Sequence, residues 1–521
     1  MDQNASPPSS HSGAPAGMVN RTVSLTPSII YPLQYLRAIA ALSVVLCHAS
    51  YYLMGARQEA WLWEVFDRAG VFGVLLFFAI SGFLMAQLAP GATSLRFMAH
   101  RLIRIYPPFW IAVLAVAVLS AGSITPTPSA MLLVPQGQVP HVLGVEWTLP
   151  FELSFYLIVC AVIAVRGQRW LPWIGLGWIL LILGGVMLRP GWQQGLFPLP
   201  LNLPVSTYCL PFAGGLIIPT ALRRGWVGPA TPILGLCALL ANEAMPNAVL
   251  GFGLLSLGCV LLVAAAVRPR EAAVTPQPNL SLVALGDWSY ALYLIHVPVI
   301  RAVNALLPAS TPYLAQWVAA VAAPVAVAVA FGKLDLWLYR VLKRRVDRAG
   351  TPVLASITVA FLAAMLVIGG GAHWRAFEAS QTSARLAPAA ARLAAELEAG
   401  AQDIASAAQR IGLVEDPAVI GHFDSTMLRP PVSQFVQGWA GDSSLAARPV
   451  EVLMFQCGAY LGAAPAVEER PDVAAVLRAT RREFGFSATV PLRHCAHDDV
   501  VGLILAGDRQ FGLIRAPRPR H

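Results

Sequence analysis

Long apolar stretches separated by short polar segments dominate the first two thirds of the chain. A helix needs about 20 apolar residues to cross the hydrocarbon core of a bilayer. On that criterion the pattern predicts eleven membrane-spanning helices, at 33–53, 70–89, 105–122, 147–165, 171–188, 205–221, 229–243, 246–267, 282–301, 312–334 and 352–370. The seventh span is short and flanked by proline. The predicted fold is therefore an all-α polytopic membrane bundle of about ten core helices plus an eleventh, with a small C-terminal β domain.

The basic residues predict how these helices are oriented. Clusters of arginine or lysine follow the second, fourth, sixth, eighth and tenth spans, at 96–104, 166–169, 223–224, 268–270 and 343–348. The loop on the opposite side, after the third span, contains neither lysine nor arginine. Because cytoplasmic loops carry an excess of positive charge, the alternation predicts a cytoplasmic N-terminus. It places the C-terminal domain outside the cytoplasm.

Changes in composition divide the chain into five segments. Residues 1–28 are polar and rich in Ser, Pro and Gly, which predicts a disordered cytoplasmic tail. The membrane domain follows at 29–345, and 346–372 holds the additional transmembrane helix. The Ala-rich segment 373–418 favours a helical linker. Short apolar runs between Gly, Pro and Asp predict an extracytoplasmic β-rich domain at 419–521.

Composition also limits the classes of function. Hydrophobic residues make up 57% of the chain and charged residues 12%, about half the charged fraction of a soluble protein. The net charge is +9, but basic residues form short clusters between apolar runs, the pattern of membrane loops. The expected surroundings are therefore a lipid bilayer and not a nucleic acid. The sequence has no CxxC motif and no His/Cys cluster with zinc spacing, so no metal site is predicted. Whether Cys457 and Cys495 pair is left open.

The first span contains two ionisable residues, Arg37 and His48, in an otherwise apolar helix. Their spacing of eleven positions brings them to one helix face, about 16 Å apart along the axis. Arg37 is then expected near the cytoplasmic end and His48 in the outer half. Ionisable groups inside a span are costly and usually functional. The alternative is a snorkelling arginine and a structural histidine.

Glu152 lies in the fourth span, near the expected depth of His48. A carboxylate at that depth is expected to bond the imidazole and hold the ring as a general base. The alternative is a structural ion pair between Glu152 and an arginine.

Arg101 and Arg104 lie three residues apart before the third span, so they project from neighbouring positions of one helix. Guanidinium groups match phosphate oxygens, which suits a nucleotide-bearing donor such as CoA. Anchoring at the cytoplasmic surface is the alternative.

Two further segments carry polar residues inside spans. Ser81 precedes Gly82 in the second span, a pattern typical of close helix packing. Tyr290, Tyr293 and His296 lie together in the ninth span, where they either line a polar cavity or form structural hydrogen bonds.

Five segments, taken in order, resemble the acyltransferase-3 family of bacterial membrane acyltransferases, in the branch associated with exopolysaccharide production. The likeness covers roughly residues 30–345. It rests on five motifs: Arg37 and His48; the aromatic run ending in Ser81, Gly82 and Phe83; Arg101 and Arg104 followed by Tyr106 and Pro107; Trp147, Thr148, Leu149, Glu152, Phe155 and Tyr156; and Ser289, Tyr290, Leu292, Tyr293 and His296.

The resemblance implies an O-acyltransferase that uses acyl-CoA, often acetyl-CoA, to modify surface glycans. It implies a protein of the bacterial inner membrane, with His48 as the general base or acyl-handling residue and the arginines as CoA contacts. The further site candidates are Ser81, Trp147, Tyr156, Tyr290, Tyr293 and His296. Acyl-CoA is then a donor substrate and no permanently bound cofactor is expected; the other partners are a glycan acceptor and polysaccharide biosynthesis proteins.

One departure from the family pattern concerns Glu152. Pro150 and Phe151 precede it, where the family more usually has Val and Glu, and this weakens the assignment of Glu152 as catalytic. A transporter or flippase of a glycan or lipid intermediate is the alternative function, and an inactive scaffold that displays the β domain is a third.

Overall fold

The computed structural model describes most of the chain. The described stretches are 30–57, 59–120, 126, 128–135, 142–188, 201–245, 248–269, 278–308, 310–429, 433–444, 450–479, 483–491, 500–507 and 509–515. The predicted tail at 1–28 lies outside them, as does Cys495.

The secondary structure of the described membrane domain is entirely helical, and further helices lie in the C-terminal part. Their bounds are α1 Tyr31–Arg57, α2 Trp61–Leu88, α3 Ser94–Leu119, α4 Pro128–Met131, α5 Leu149–Ala164, α6 Leu171–Leu188, α7 Leu210–Arg223, α8 Thr231–Glu243, α9 Ala248–Ala266, α10 Leu280–Asp287, α11 Ser289–Leu306, α12 Tyr313–Arg348, α13 Thr351–Glu398, α14 Ile404–Arg410 and α15 Pro471–Val476. Within the described ranges, nine helices are long and apolar enough to cross a membrane. The shorter α7 and α8 coincide with the sixth and seventh predicted spans, so the predicted polytopic bundle is confirmed.

Glycines let the central helices approach closely. A Cβ on Gly73 of α2 would lie 2.5 Å from the carbonyl oxygen of Ala40 in α1. A Cβ on Gly82 would overlap the carbonyl oxygen of Phe212 in α7 and would also meet Gly215. Small residues at such crossings allow dispersion contacts between backbones, which is how helices associate in lipid. The close helix packing predicted from Ser81 and Gly82 is therefore confirmed at Gly82.

Gly82→Ala is expected to lower stability by about 1–3 kcal/mol, the usual cost of overpacking a core. Gly177→Ala in α6 is the matched control, because a Cβ there would have no atom within 4 Å. That change should be neutral or stabilise the helix by up to about 1 kcal/mol. Thermal unfolding of both full-length variants in detergent tests the difference; equal midpoints would contradict the packing account.

Helix α13 joins the membrane domain to the C-terminal domain without a break. It has 48 residues and so extends about 72 Å at 1.5 Å per residue. Only Thr351–Gly371 is apolar enough to cross a bilayer. Beyond it, Leu386, Ala390 and Leu393 pack with α14 against a β-sheet. Part of the segment expected to be a linker at 373–418 thus contributes to the core of the C-terminal domain.

The C-terminal domain contains two packed sheets, which confirms the predicted small β domain. The strands are β1 Val414–Glu415, β2 Val419–Arg429, β3 Ser433–Asp442, β4 Glu451–Gln456, β5 Ala459–Pro465, β6 Glu468–Glu469, β7 Glu483–Pro491, β8 Val501–Ala506 and β9 Gln510–Arg515. One sheet has the order β1-β9-β8-β4-β5 and the other β2-β3-β7-β6. Phe423, Val452, Phe486 and Ile504 belong to the core between them. The sheets begin at Val414, ahead of the expected boundary at 419, because β1 pairs in parallel with β9.

Cys457 lies between β4 and β5 and is disulfide-bonded. Cys495, the partner considered from the sequence, lies outside the described residues.

Candidate active site

A cavity of about 290 Å³ lies among α1, α2, α3, α5, α11 and α12. Its volume is at the lower end of ligand pockets, which span roughly 300–1,000 Å³. Most of the site residues predicted from the sequence line it: Arg37, Ser81, Arg101, Arg104, Glu152, Tyr156, Tyr290 and Tyr293. The predicted residues His48, Trp147 and His296 are not among its lining residues.

Two of the three cavity arginines are already bonded to protein groups. Nη1 of Arg104 lies 2.8 Å from Oδ2 of Asp335, a carboxylate only 1% exposed. The Arg104 guanidinium also lies 5.1 Å from the ring centre of Tyr290. Arg37 donates to the hydroxyl of Ser289 at 3.1 Å. These contacts fix two positive charges at the cavity wall.

Arg101 has a different environment. Its guanidinium lies 5.7 Å from the ring centre of Phe97 and 5.6 Å from that of Tyr156. Its buried Nε has no hydrogen-bond partner in the described part of the chain. A buried donor without an acceptor is costly. Arg101 is therefore the cavity arginine whose guanidinium is not already held by a hydrogen bond from the described residues.

Asp335 was not among the site residues predicted from the sequence. Its position is one residue past the predicted end of the tenth span at 334, whereas α12 continues to Arg348. The signal in the sequence would have been a carboxylate inside a helix longer than the predicted span, because ionisable groups buried in a membrane helix are usually functional.

Glu152 lies in the cavity wall but does not contact His48. Its carboxylate accepts hydrogen bonds from Ser81 Oγ at 3.1 Å and from Tyr156 OH at 2.5 Å. The prediction that Glu152 orients the His48 ring is therefore wrong. Two residues at the same depth in the membrane need not be in contact, because the lateral arrangement of their helices decides which side chains meet. Ser81 also has a role beyond packing, because its hydroxyl holds this carboxylate.

A second histidine takes the place expected for Glu152. His48 Nδ1 lies 2.9 Å from the carbonyl oxygen of Val44 and 3.2 Å from Nε2 of His296. Nδ1 of His296 lies 2.7 Å from the carbonyl oxygen of Tyr293. His296 is completely buried, whereas His48 is half-buried. We name His48 and His296 the histidine pair.

The hydrogen bonds of the histidine pair assign its tautomers. A carbonyl oxygen only accepts, so Nδ1 of each ring carries the proton. Nε2 of His296 is then an acceptor, and the Nδ1–H of His48 points to it and to the Val44 carbonyl. Nε2 of His48 is left unprotonated. An imidazole with its Nδ1–H held and its Nε2 free is arranged as a general base.

Tyr293 connects the cavity to the histidine pair. It lines the cavity, and its hydroxyl is 2.6 Å from Thr148 Oγ1 and also donates to the carbonyl of Val145. Its main-chain oxygen accepts from His296. Trp147, by contrast, packs edge-on against Phe151 and Tyr208, which is a structural position.

Comparison with known proteins places this site in a family. The acyltransferase-domain model of the acyltransferase-3 family matches residues 30–333. The chain is 28% identical over 336 residues to the acyltransferase MdmB of Streptomyces mycarofaciens, covering 56% of this chain and 85% of that protein. It is 28% identical over 259 residues to the exopolysaccharide production protein ExoZ of Rhizobium meliloti (strain 1021), covering 45% and 78%. No solved structure is significantly similar.

The matched region contains the histidine pair, the three cavity arginines and Glu152. Because it exceeds half of the chain, this protein belongs to the acyltransferase-3 family and is a multi-pass membrane acyltransferase of groups other than aminoacyl groups.

Proposed function

We propose that this protein transfers an acyl group, in particular acetyl, from cytoplasmic acyl-CoA to a hydroxyl of an exported or cell-surface glycan. The observation that carries the proposal is the cavity on which three arginines converge, with Arg101 retaining a buried donor that lacks a protein acceptor. A glycan acceptor is supported by the likeness to a protein of exopolysaccharide production. Polysaccharide biosynthesis proteins are the expected partners.

The arrangement of charge supports a donor that enters from the cytoplasmic side. The arginine-rich segments between predicted spans favour an inner-membrane orientation in which the Arg37 end of α1 faces the cytoplasm. A cavity of about 290 Å³ suits the acyl-pantetheine arm of acyl-CoA, with the nucleotide held at the arginine side. Guanidinium groups bind phosphate oxygens in paired hydrogen bonds. On this orientation the β domain lies outside the cytoplasm.

The histidine pair supports a direct transfer step. Nε2 of His48 accepts the proton of the glycan hydroxyl, and the hydroxyl oxygen attacks the thioester carbonyl. The C–S bond breaks, and the CoA thiolate leaves and takes the proton from His48 to become a thiol. His296 acts as a positioning residue because its Nε2 is a second acceptor, beside the Val44 carbonyl, for the Nδ1–H of His48. Glu152 positions the Tyr156 ring beneath Arg101.

Arg101→Ala is expected to weaken acetyl-CoA binding by about 10- to 150-fold, because hydrogen bonds to charged groups contribute about 1.5–3 kcal/mol. Isothermal titration of the purified protein in detergent with acetyl-CoA measures the loss. Arg96→Ala is the control, since Arg96 lies on the same helix but is exposed and is not among the cavity residues. Unchanged binding by Arg101→Ala, or no binding by the parent protein, would contradict the proposal.

A further inference from the structure

Glu152 has one carboxylate oxygen that the contacts described so far do not use. Both hydrogen bonds that the carboxylate accepts, from Ser81 Oγ and Tyr156 OH, end on Oε1. Oε2 has no hydrogen-bond partner among the described residues, and it is not one of the fully buried side-chain atoms that lack one. Since Glu152 lines the cavity of about 290 Å³, which we name the donor cavity, Oε2 is an acceptor open to a molecule that enters there.

The charge of this carboxylate is not neutralised by the cavity arginines, all of which are described. Arg104 bonds instead to Asp335, and Arg37 bonds to the hydroxyl of Ser289. A carboxylate without a paired cation repels the phosphate groups of a donor and can only accept hydrogen bonds. Glu152 therefore suits a part of the donor that carries N–H or O–H groups and no negative charge.

The position of Glu152 along one wall of the donor cavity identifies that part. Thr148, Glu152 and Tyr156 follow one another at intervals of four residues, and all three line the cavity. Within α5, Glu152 and Tyr156 lie about 6 Å apart along the helix axis. Glu152 therefore stands between the other two residues on this wall.

The two flanking residues mark the ends of the wall. The ring centre of Tyr156 lies 5.6 Å from the guanidinium of Arg101, on the side proposed for the nucleotide. Thr148 Oγ1 lies 2.6 Å from the hydroxyl of Tyr293, whose main-chain oxygen accepts from His296. The thioester reacts on that second side. A donor that reaches both ends passes the open carboxylate oxygen with its pantetheine arm.

The pantetheine arm supplies the groups that a carboxylate binds. It carries amide N–H groups, and a short ethylene link separates the thioester sulfur from the nearer amide nitrogen. With the thioester at Thr148, this N–H comes level with Glu152, about one helical turn away. A hydrogen bond to an ionised acceptor is shorter and stronger than one between neutral groups.

We propose that Oε2 of Glu152 accepts a hydrogen bond from the amide N–H nearest the thioester, and so sets how far the donor extends toward the histidine pair. The inference rests on the proposed acyl-CoA donor and identifies the residue that recognises its pantetheine arm. Ser81 and Tyr156 hold the carboxylate through Oε1 and leave Oε2 for the donor.

The test compares acetyl-CoA with an ester analogue in which oxygen replaces this amide N–H. Isothermal titration of the full-length protein in detergent measures the dissociation constants of both. The parent should bind the ester analogue about 10- to 150-fold more weakly, the range for a hydrogen bond to a charged group. Glu64→Ala removes an exposed carboxylate of α2 that does not line the cavity, and it should keep the parental ratio.

Glu152→Gln separates recognition of the donor from support of Tyr156. The glutamine oxygen still accepts from the hydroxyls of Ser81 and Tyr156, and its NH2 group then faces the cavity in place of Oε2. Acetyl-CoA should bind this variant as weakly as the ester analogue binds the parent, so the ratio between the two donors should fall to about one. A residue that only supports Tyr156 would leave that ratio unchanged.

The outcomes distinguish this inference from the proposed function. Equal binding of the two donors by the parent would contradict a bond to the amide N–H, as would a parental ratio in Glu152→Gln. The proposed function survives both results, because acetyl-CoA still binds the parent. Failure of the parent to bind acetyl-CoA would overturn the proposed function and this inference with it.

Discussion

His48→Ala should eliminate glycan acylation while leaving acetyl-CoA binding intact. Of the two imidazoles of the histidine pair, that of His296 is completely buried and that of His48 is half-buried. Only His48 therefore has surface that an acceptor can reach. A positioned general base contributes about 10²–10⁴ in rate, so single-turnover transfer should fall by at least about 100-fold. Because the donor cavity does not include His48, the affinity for acetyl-CoA should stay near that of the parent.

His296 provides the partner measurement for His48. His296→Leu removes one of the two acceptors of the His48 Nδ1–H and leaves the Val44 carbonyl, so the rate should fall and the pH dependence of kcat should shift. His296→Gln keeps an amide oxygen that accepts this hydrogen bond and should restore part of the rate. Equal losses in the two variants would indicate a packing role for His296. Retained transfer in His48→Ala would remove His48 from the mechanism.

The second large effect concerns stability. Asp335→Ala leaves the guanidinium of Arg104 without the carboxylate that lies 2.8 Å away. Removing one member of a buried ion pair costs about 3–5 kcal/mol, because the remaining charge stays unpaired in a medium of low polarity. Thermal or denaturant unfolding of the full-length protein in detergent should report a loss of this size.

Two controls separate the lost pair from a general effect of removing a charge. The double variant Arg104→Met/Asp335→Leu removes both charges and should recover most of the stability. Asp347→Ala removes a carboxylate that is 40% exposed and bonded to Lys343, and an exposed pair is worth at most about 1 kcal/mol. If the double variant is as unstable as Asp335→Ala, the loss comes from packing and not from an unpaired charge.

The separation of the donor cavity from the histidine pair has a consequence for the reaction. Tyr293 stands between them, bonded to Thr148 on the cavity side and to His296 through its main chain. In the proposed reaction, the acyl donor and the acceptor would therefore approach the reacting centre from different sides. Such an arrangement would keep the charged nucleotide away from the acceptor.

Hydropathy predicted the membrane architecture well because a span is a local property. About 20 apolar residues are needed to cross a bilayer wherever they occur in a fold, so each predicted span coincides with a helix or helix pair. The tenth span was predicted to end at 334, because hydropathy falls there although α12 continues to Arg348. Asp335 lies one residue beyond the predicted end of that span, so it was not recognised as a carboxylate inside a helix.

The sequence alone determined the helices of the membrane domain, the presence of a β domain and the identity of most polar residues in the cavity. It did not determine which of those residues meet. His48 is bonded to His296, 248 residues away, and Glu152 to Ser81, 71 residues away. Only the tertiary structure decided these pairs, because the lateral order and rotation of helices follow from packing at sites such as Gly82 and Gly215. Hydropathy fixes how deep a residue lies, but neighbours at that depth depend on how the helices are arranged around it.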